Sequence, residues 1–203
     1  MRSIGLTGGI ASGKSTVSAI LAEQGAIVLD ADQLGHRSYA PGTATFDAVV
    51  AAFSPAIIAT DGTIDRAKLG AQVFADSGGL KKLTDIVWPA IRALAETELE
   101  RLGQQGTDVS VLEAAVMIEA GWQDLVDEVW VVSVPTAIAR QRLMARNGLS
   151  AEDADSRIAA QLGNAEREAE ADVVIDTDCS LEQVRERVLQ AWAAFGQRVN
   201  ATG

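Results

Sequence analysis

Eight residues near the amino terminus have the types and spacing to hold a phosphate: Gly8-Gly9-Ile10-Ala11-Ser12-Gly13-Lys14-Ser15, followed by Thr16. They fit Gly-x-x-x-x-Gly-Lys-Ser, in which glycines let bare backbone wrap closely around a phosphate and the amide N–H groups form an anion nest. Lys14 supplies a positive charge to the outer phosphates. The Ser15 hydroxyl is a hard oxygen ligand suited to Mg²⁺. Further along stand acids and cations that could complete a site. Asp30 and Asp32 close a short apolar run, Glu113 closes another, and Arg142 and Arg146 lie four residues apart, on one face of a helix.

These side chains need elements to present them. Ile4-Gly5-Leu6-Thr7 reads as a strand before the loop, and Thr16 to Gln24 reads as a helix whose positive dipole end faces the phosphates. Gly25 is the expected C-cap. Ala26-Ile27-Val28-Leu29 reads as a buried parallel strand, and so does Val109-Ser110-Val111-Leu112. Val129 to Val134, stopped by Pro135, and Asp172 to Asp176 read as two more. In open α/β folds ligands sit beyond the carboxyl ends of strands, which is where Asp30, Asp32 and Glu113 fall. Each acid has a plainer alternative: a helix N-cap for Asp30 or Asp32, an ordinary strand-end acid for Glu113. Glu119 could belong to the same mouth. His36 is read as polar or capping, and Trp122 and Trp130 as core.

Between about 35 and 106 the pattern is helical, with little strand signal. Phe46, Val49, Val50 and Phe53 form one apolar set, Leu69, Val73 and Phe74 a second, and Leu80, Leu83, Ile86 and Val87 a third. Pro89 is expected to break or restart the helix it interrupts, and Asp61-Gly62-Thr63 to form a turn. From 139 to 167, two helices around Gly148 and Ser150 carry Arg140, Arg142, Arg146, Arg157 and Gln161. Guanidiniums on a hinged pair suit a lid that grips phosphate oxygens, the alternative being a solvated charged face. Ser180 with Gln183 is expected to cap a last amphipathic helix through Val184, Val188, Trp192 and Phe195.

The chain has 203 residues, 48% hydrophobic, enough for one domain with insertions. A net charge of -11 argues against a general nucleic-acid or membrane-surface binder. Positive charge must therefore be concentrated where anions bind. A single cysteine, Cys179, excludes an internal disulfide and a cysteine-built metal site. No apolar run reaches membrane-spanning length, and a cytoplasmic monomer or weak homo-oligomer is expected.

The parts fit phosphoryl transfer, in which negative charge spreads over the moving oxygens. Lys14, the loop amides, Mg²⁺ and Arg142 would stabilise that charge, and Asp32 is the candidate general base for an acceptor hydroxyl. Asp30 could instead orient the acceptor or hold a water on the metal. A GTPase reading lacks an Asn-Lys-x-Asp stretch. Two alternatives remain: a kinase for another hydroxyl or nucleotide acceptor, and a nucleotide-binding module without chemistry.

Over nearly its whole length the chain resembles the dephospho-coenzyme A kinase family. The resemblance rests on Ile4 through Thr16, Asp30-Ala31-Asp32, Pro41-Gly42, Asp61-Gly62-Thr63-Ile64-Asp65-Arg66, Arg142-Leu143-Met144-Ala145-Arg146, Gln161, Arg167 and Ala171 through Asp176. Many bacterial members carry His-Pro where this chain has Trp88-Pro89. Many also carry Asp-x-Pro-Leu-Leu-x-Glu where it has Glu113 to Glu119; both variants resemble the kinase portion of animal bifunctional coenzyme A synthase. The resemblance implies a stand-alone kinase with the nucleoside-monophosphate-kinase-like P-loop NTPase fold: a parallel sheet flanked by helices, with a helical insertion and a lid. It implies transfer of the ATP γ-phosphoryl to the ribose 3′-hydroxyl of dephospho-coenzyme A. The implied division is a core of 1–34, 107–138 and 168–203, a coenzyme-A-binding insertion of about 35–106, and a lid of about 139–167. ATP would contact residues 8–16, Arg142 and Arg146. Ser15 would hold Mg²⁺, with Glu113 a further candidate.

Overall fold

The computed structural model describes residues 1–200, with side chains through Gln197. In chain order the elements are β1 (Arg2–Gly8), α1 (Lys14–Glu23), β2 (Ile27–Asp30), α2 (Ala31–Ser38), α3 (Ala44–Phe53), α4 (Arg66–Ala75) and α5 (Gly79–Gln104). There follow β3 (Val109–Glu113), β4 (Glu128–Ser133), α6 (Thr136–Asn147), α7 (Ala151–Ala159), α8 (Asn164–Ala169), β5 (Val173–Asp176) and α9 (Leu181–Asn200). The chain divides into two compact units, residues 1–29 with 102–203, and residues 30–101.

In the first unit five strands form one sheet in the order β2-β3-β1-β4-β5. The pairings of β1 with β3, β1 with β4, and β4 with β5 are parallel. A parallel strand covered on both faces must be apolar on both, and that is why β1, β3 and β4 read as unbroken runs; β2 departs from the buried strand expected, for it lies at the sheet edge with Ile27 44% exposed and the rest half-buried. β1 is buried from Ser3 to Gly8, and β4 along its whole length. Ile4, Leu6, Val111, Trp130 and Val132 pack with Val17 and Leu21 of α1 and with Val184, Val188 and Phe195 of α9. The Trp130 and Phe195 rings meet edge to face at 6.1 Å, a favoured arrangement of their quadrupoles. α9 begins on the expected reciprocal cap: the Gln183 N–H donates to Ser180 Oγ and the Ser180 N–H to Gln183 Oε1. The sheet's order changes direction beside β1, so the loop that follows β1 opens at the switch point where such folds bind ligands.

The second unit is helical, with one isolated bridge between Ile58 and Ile64. Thr43 caps α3 through the Phe46 N–H, and Asp65 caps α4 through the Ala67 and Lys68 N–H groups. Asp61 Oδ1 closes the expected turn by accepting from the Thr63 N–H and hydroxyl. Pro89 departs from expectation. α5 runs through it without a break. Val87, Ile91, Ala95 and Leu99, each four residues from the last, are all buried, and the burial of that stripe outweighs the one N–H bond that proline forgoes. Leu80 and Phe74 also differ from the apolar sets above, at 58% and 85% exposed. Among the described residues no helix is long and apolar enough to cross a membrane.

Candidate active site

The loop between β1 and α1 is shaped by two glycines for two different reasons. At Gly8 a Cβ would stand 2.5 Å from the Val132 carbonyl and 2.8 Å from Ser12 Oγ, so the strand can pass that close to β4 only without a side chain. At Gly13 φ is +94°, a left-handed conformation that costs other residues. The turn between them is closed by the Ser12 N–H donating to the Gly9 carbonyl at 3.1 Å. Gly13 then serves as N-cap of α1 with no side chain to offer, and α1 has no acid in its first turn. The first amides of a helix have no partner within it. The Thr16 N–H turns back to the Gly13 carbonyl at 3.0 Å, while among the described residues nothing takes the Lys14 and Ser15 N–H groups, the arrangement an anion needs.

Glu113 reaches this loop because β1 and β3 are in register, Leu6 opposite Glu113. Lys14 Nζ donates to Glu113 Oε1 at 2.6 Å, with both side chains less than one-fifth exposed. Ser15 is exposed, and its hydroxyl has no partner among the described residues.

Arg142 is pulled toward the loop by Thr177, a residue the sequence gives no reason to single out. Thr177 is 3% exposed. Its hydroxyl donates to the Ser12 carbonyl at 2.6 Å and accepts from Arg142 Nη1 at 3.0 Å. Arg142 Nη2 donates to the Thr177 carbonyl at 2.6 Å, and Nη1 lies 3.5 Å from the Ala11 carbonyl. The Thr177 N–H donates to the Ser133 carbonyl. One threonine thus joins the ends of β4 and β5, the loop and α6. Next to it, the Asp178 N–H, and after it the Arg187 guanidinium, hold the Asp176 carboxyl below its ordinary value, with the Arg142 charge adding to this. Arg146 is not part of this cluster. It is exposed, and its Nε donates to the neighbouring Asn147 Oδ1.

The turn after α7 also meets the loop. Gln161 Oε1 accepts the Ile10 N–H at 2.8 Å. α8 behind it is fastened to the end of β4 by Ser133 donating to Glu168 Oε1 and by Asn164 Nδ2 donating to the Val134 carbonyl. Arg167 is 2% exposed and pairs with Glu119 at 3.2 Å.

Asp30 and Asp32 stand at the start of the second unit and part company there. Asp30 Oδ1 accepts from the Asp32 N–H at 2.8 Å and the Gln33 N–H at 3.4 Å, and Oδ2 from Gln33 Nε2. It is the N-cap of α2, a helix with only one large buried apolar residue, Leu34. The Asp32 side chain is exposed and its carboxylate has no partner among the described residues. His36 is exposed in the last turn of α2.

A glycine-capped loop leaving the central strand of a parallel α/β sheet, with a lysine on its first helical turn, defines the P-loop NTPase fold. The family model for dephospho-CoA kinase matches residues 2–183. A dephospho-CoA kinase of Geobacter sulfurreducens is 50% identical over 95% of this chain and 98% of its own length. A crystal structure from Thermus thermophilus is 35% identical with a TM-score of 0.79, covering 95% of this chain and 96% of its own. The dephospho-CoA kinase from Campylobacter jejuni is 26% identical with a TM-score of 0.74, covering 97% of this chain and 98% of its own. The chain belongs to the dephospho-CoA kinase family.

Proposed function

We propose that the chain transfers the γ-phosphoryl of ATP to the ribose 3′-hydroxyl of dephospho-CoA, giving CoA and ADP. The observation that carries this is the Gly13-capped loop with its unclaimed amides and Lys14, in a chain of this family. Loop amides and Lys14 would hold the β- and γ-phosphates. Lys14 would exchange Glu113 for phosphate oxygens as ATP binds, so the ammonium does not travel far. Arg142 would lend charge to the transferred group, since guanidinium stays ionised and grips oxygens in a fork. Asp32 would take the proton of the acceptor hydroxyl. Its support is that Asp30 is committed to the α2 cap while Asp32 is not. The helical unit, residues 30–101, would hold the acceptor, and α6–α8 would act as a lid over ATP that keeps water away from the transferred group.

The donor set suits a hard cation held mostly by the nucleotide. Ser15 offers a free hydroxyl, the Glu113 carboxylate is paired with the adjoining Lys14, and among the described residues no three His, Cys, Asp or Glu side chains form a cage. Mg²⁺ commonly binds in this way, keeping water and phosphate oxygens as most of its ligands. When bound it would offset charge on those oxygens. A cytoplasmic monomer or weak homo-oligomer is the expected form.

A coupled assay of ADP release tests the assignment. ADP should appear with dephospho-CoA and not with nucleoside monophosphates. The reverse pattern would make the chain a kinase of another acceptor. No ADP with any acceptor would leave a binding module.

A further inference from the structure

Beyond their place in the proposed lid, Gln161 and Arg167 both bear on the phosphate loop. Gln161 sits in the turn between α7 and α8, and its Oε1 takes the Ile10 N–H at 2.8 Å. Arg167 lies in α8, 2% exposed. It donates to the Leu162 carbonyl and to Glu119 Oε1, while its Nε is buried with no partner. A Cβ at Gly9 would stand 3.3 Å from Arg167 Nη1. The guanidinium therefore packs directly against the backbone of Gly9, and its bond to Leu162 holds the residue next to Gln161. A buried charge is costly unless it is paired and hydrogen-bonded, and Glu119 and the Leu162 carbonyl supply those partners here. So held, it fixes the turn from which Gln161 reaches the loop.

We infer that Gln161 is a positioning residue for the nucleotide site: it holds the Gly9-Ile10 half of the phosphate loop in its binding shape, and Arg167 holds Gln161. This rests on the assignment of the loop to ATP. A glycine-rich loop loses conformational entropy when it orders around a ligand. A bond that orders it beforehand lowers that cost. The Ile10 N–H is claimed by Gln161, so it cannot swing into the nest, and the remaining amides are left to the phosphates. The benefit is the same for bound ATP and for the transition state, and it therefore appears in KM for ATP and not in kcat.

Three full-length proteins test this: wild type, Gln161→Leu, which keeps the bulk and loses the acceptor, and Gln161→Glu, which keeps an acceptor oxygen. The measurements are hydrogen exchange at the Ile10 amide without nucleotide, kcat, both KM values, ATP affinity by calorimetry, and Tm. Gln161→Leu should expose the Ile10 amide to exchange and weaken ATP about fivefold to tenfold, the effect of one net hydrogen bond. Its kcat and acceptor KM should stay within about twofold, with Tm falling by no more than about 2–4 °C, while Gln161→Glu should keep Ile10 protected. The inference is overturned if Gln161→Leu leaves Ile10 exchange or ATP affinity unchanged. It is also overturned if Tm falls and both KM values rise together, or if Gln161→Glu exposes Ile10 as leucine does. Wild-type turnover separates the two readings: a chain inert toward dephospho-CoA would remove the proposed acceptor, while ATP calorimetry would still decide for or against Gln161.

Discussion

At the loop, two residues should fail in different ways. Lys14 pairs with Glu113 at 2.6 Å. Lys14→Ala removes the ammonium from every stage, so both ATP affinity and the chemical step should suffer. A loss in kcat of about 10²- to 10³-fold is the scale for one electrostatic contact to a transition state, and steady-state kinetics would read it. Unchanged kinetics would remove Lys14 from the mechanism. Asp32→Asn differs because its carboxylate has no structural partner among the described residues. Tm should hold and ATP should bind as before, while kcat falls by about 10²- to 10⁴-fold, the usual worth of a positioned base. A variant with near-normal turnover would show that the acceptor hydroxyl finds its base elsewhere. Asp30 is the control: as the α2 cap, its loss should cost stability, about 1 kcal/mol, with the chemistry affected only through that helix.

Among the elements, what was legible in the sequence was local. Val109–Leu112 and Val129–Val134 are runs with no polar face, and both are buried in the parallel sheet. Ser180 with Gln183 is a cap readable within four residues. α2 was obscured because its main signal is Asp30, a residue that reads equally well as a cap and as part of a catalytic pair. The Thr177 cluster and the Gln161 bond had no local signature. One spans 165 positions to Ser12 and the other 151 to Ile10, and neither residue type announces its partner. Pro89 misled for a physical reason: proline's local cost is real, but a stripe of buried residues on α5 exceeds it. That cost should be recoverable. Pro89 is exposed, so Pro89→Ala adds an N–H without disturbing the buried stripe. It should stabilise the protein by about 2 kcal/mol, the helix penalty of proline less its restriction of the unfolded chain. Urea titration would read this as a higher midpoint. A lower midpoint would mean that the helix is bent at Pro89 to make contacts a straight one cannot.

For the molecule as a whole, the acid side of the stability profile is set by carboxylates that the fold holds ionised. Glu98 Oε2 takes Arg101 Nε at 2.8 Å and Oε1 takes Arg37 Nη1 at 3.0 Å. The Arg101 hydrogen bond, then that of Arg37, lowers the Glu98 carboxyl from its ordinary value. The Thr63 hydroxyl and N–H do the same for Asp61, the Lys68 N–H for Asp65, and the Asp178 N–H for Asp176. In each case the folded value lies below the unfolded one, so the unfolded chain binds protons first as pH falls. The stability these groups contribute is complete above the unfolded values, near pH 4, and is lost as pH drops through the folded ones. Tm should therefore be level from about pH 7 to pH 5 and fall below about pH 4. Glu98→Gln isolates one share of that fall. Its Tm should lie below wild type at neutral pH, and the two curves should converge in acid, because protonated Glu98 resembles glutamine. Parallel curves down to the lowest pH would mean that Glu98 holds Arg37 and Arg101 by shape alone, and that the acid transition belongs to the other carboxylates.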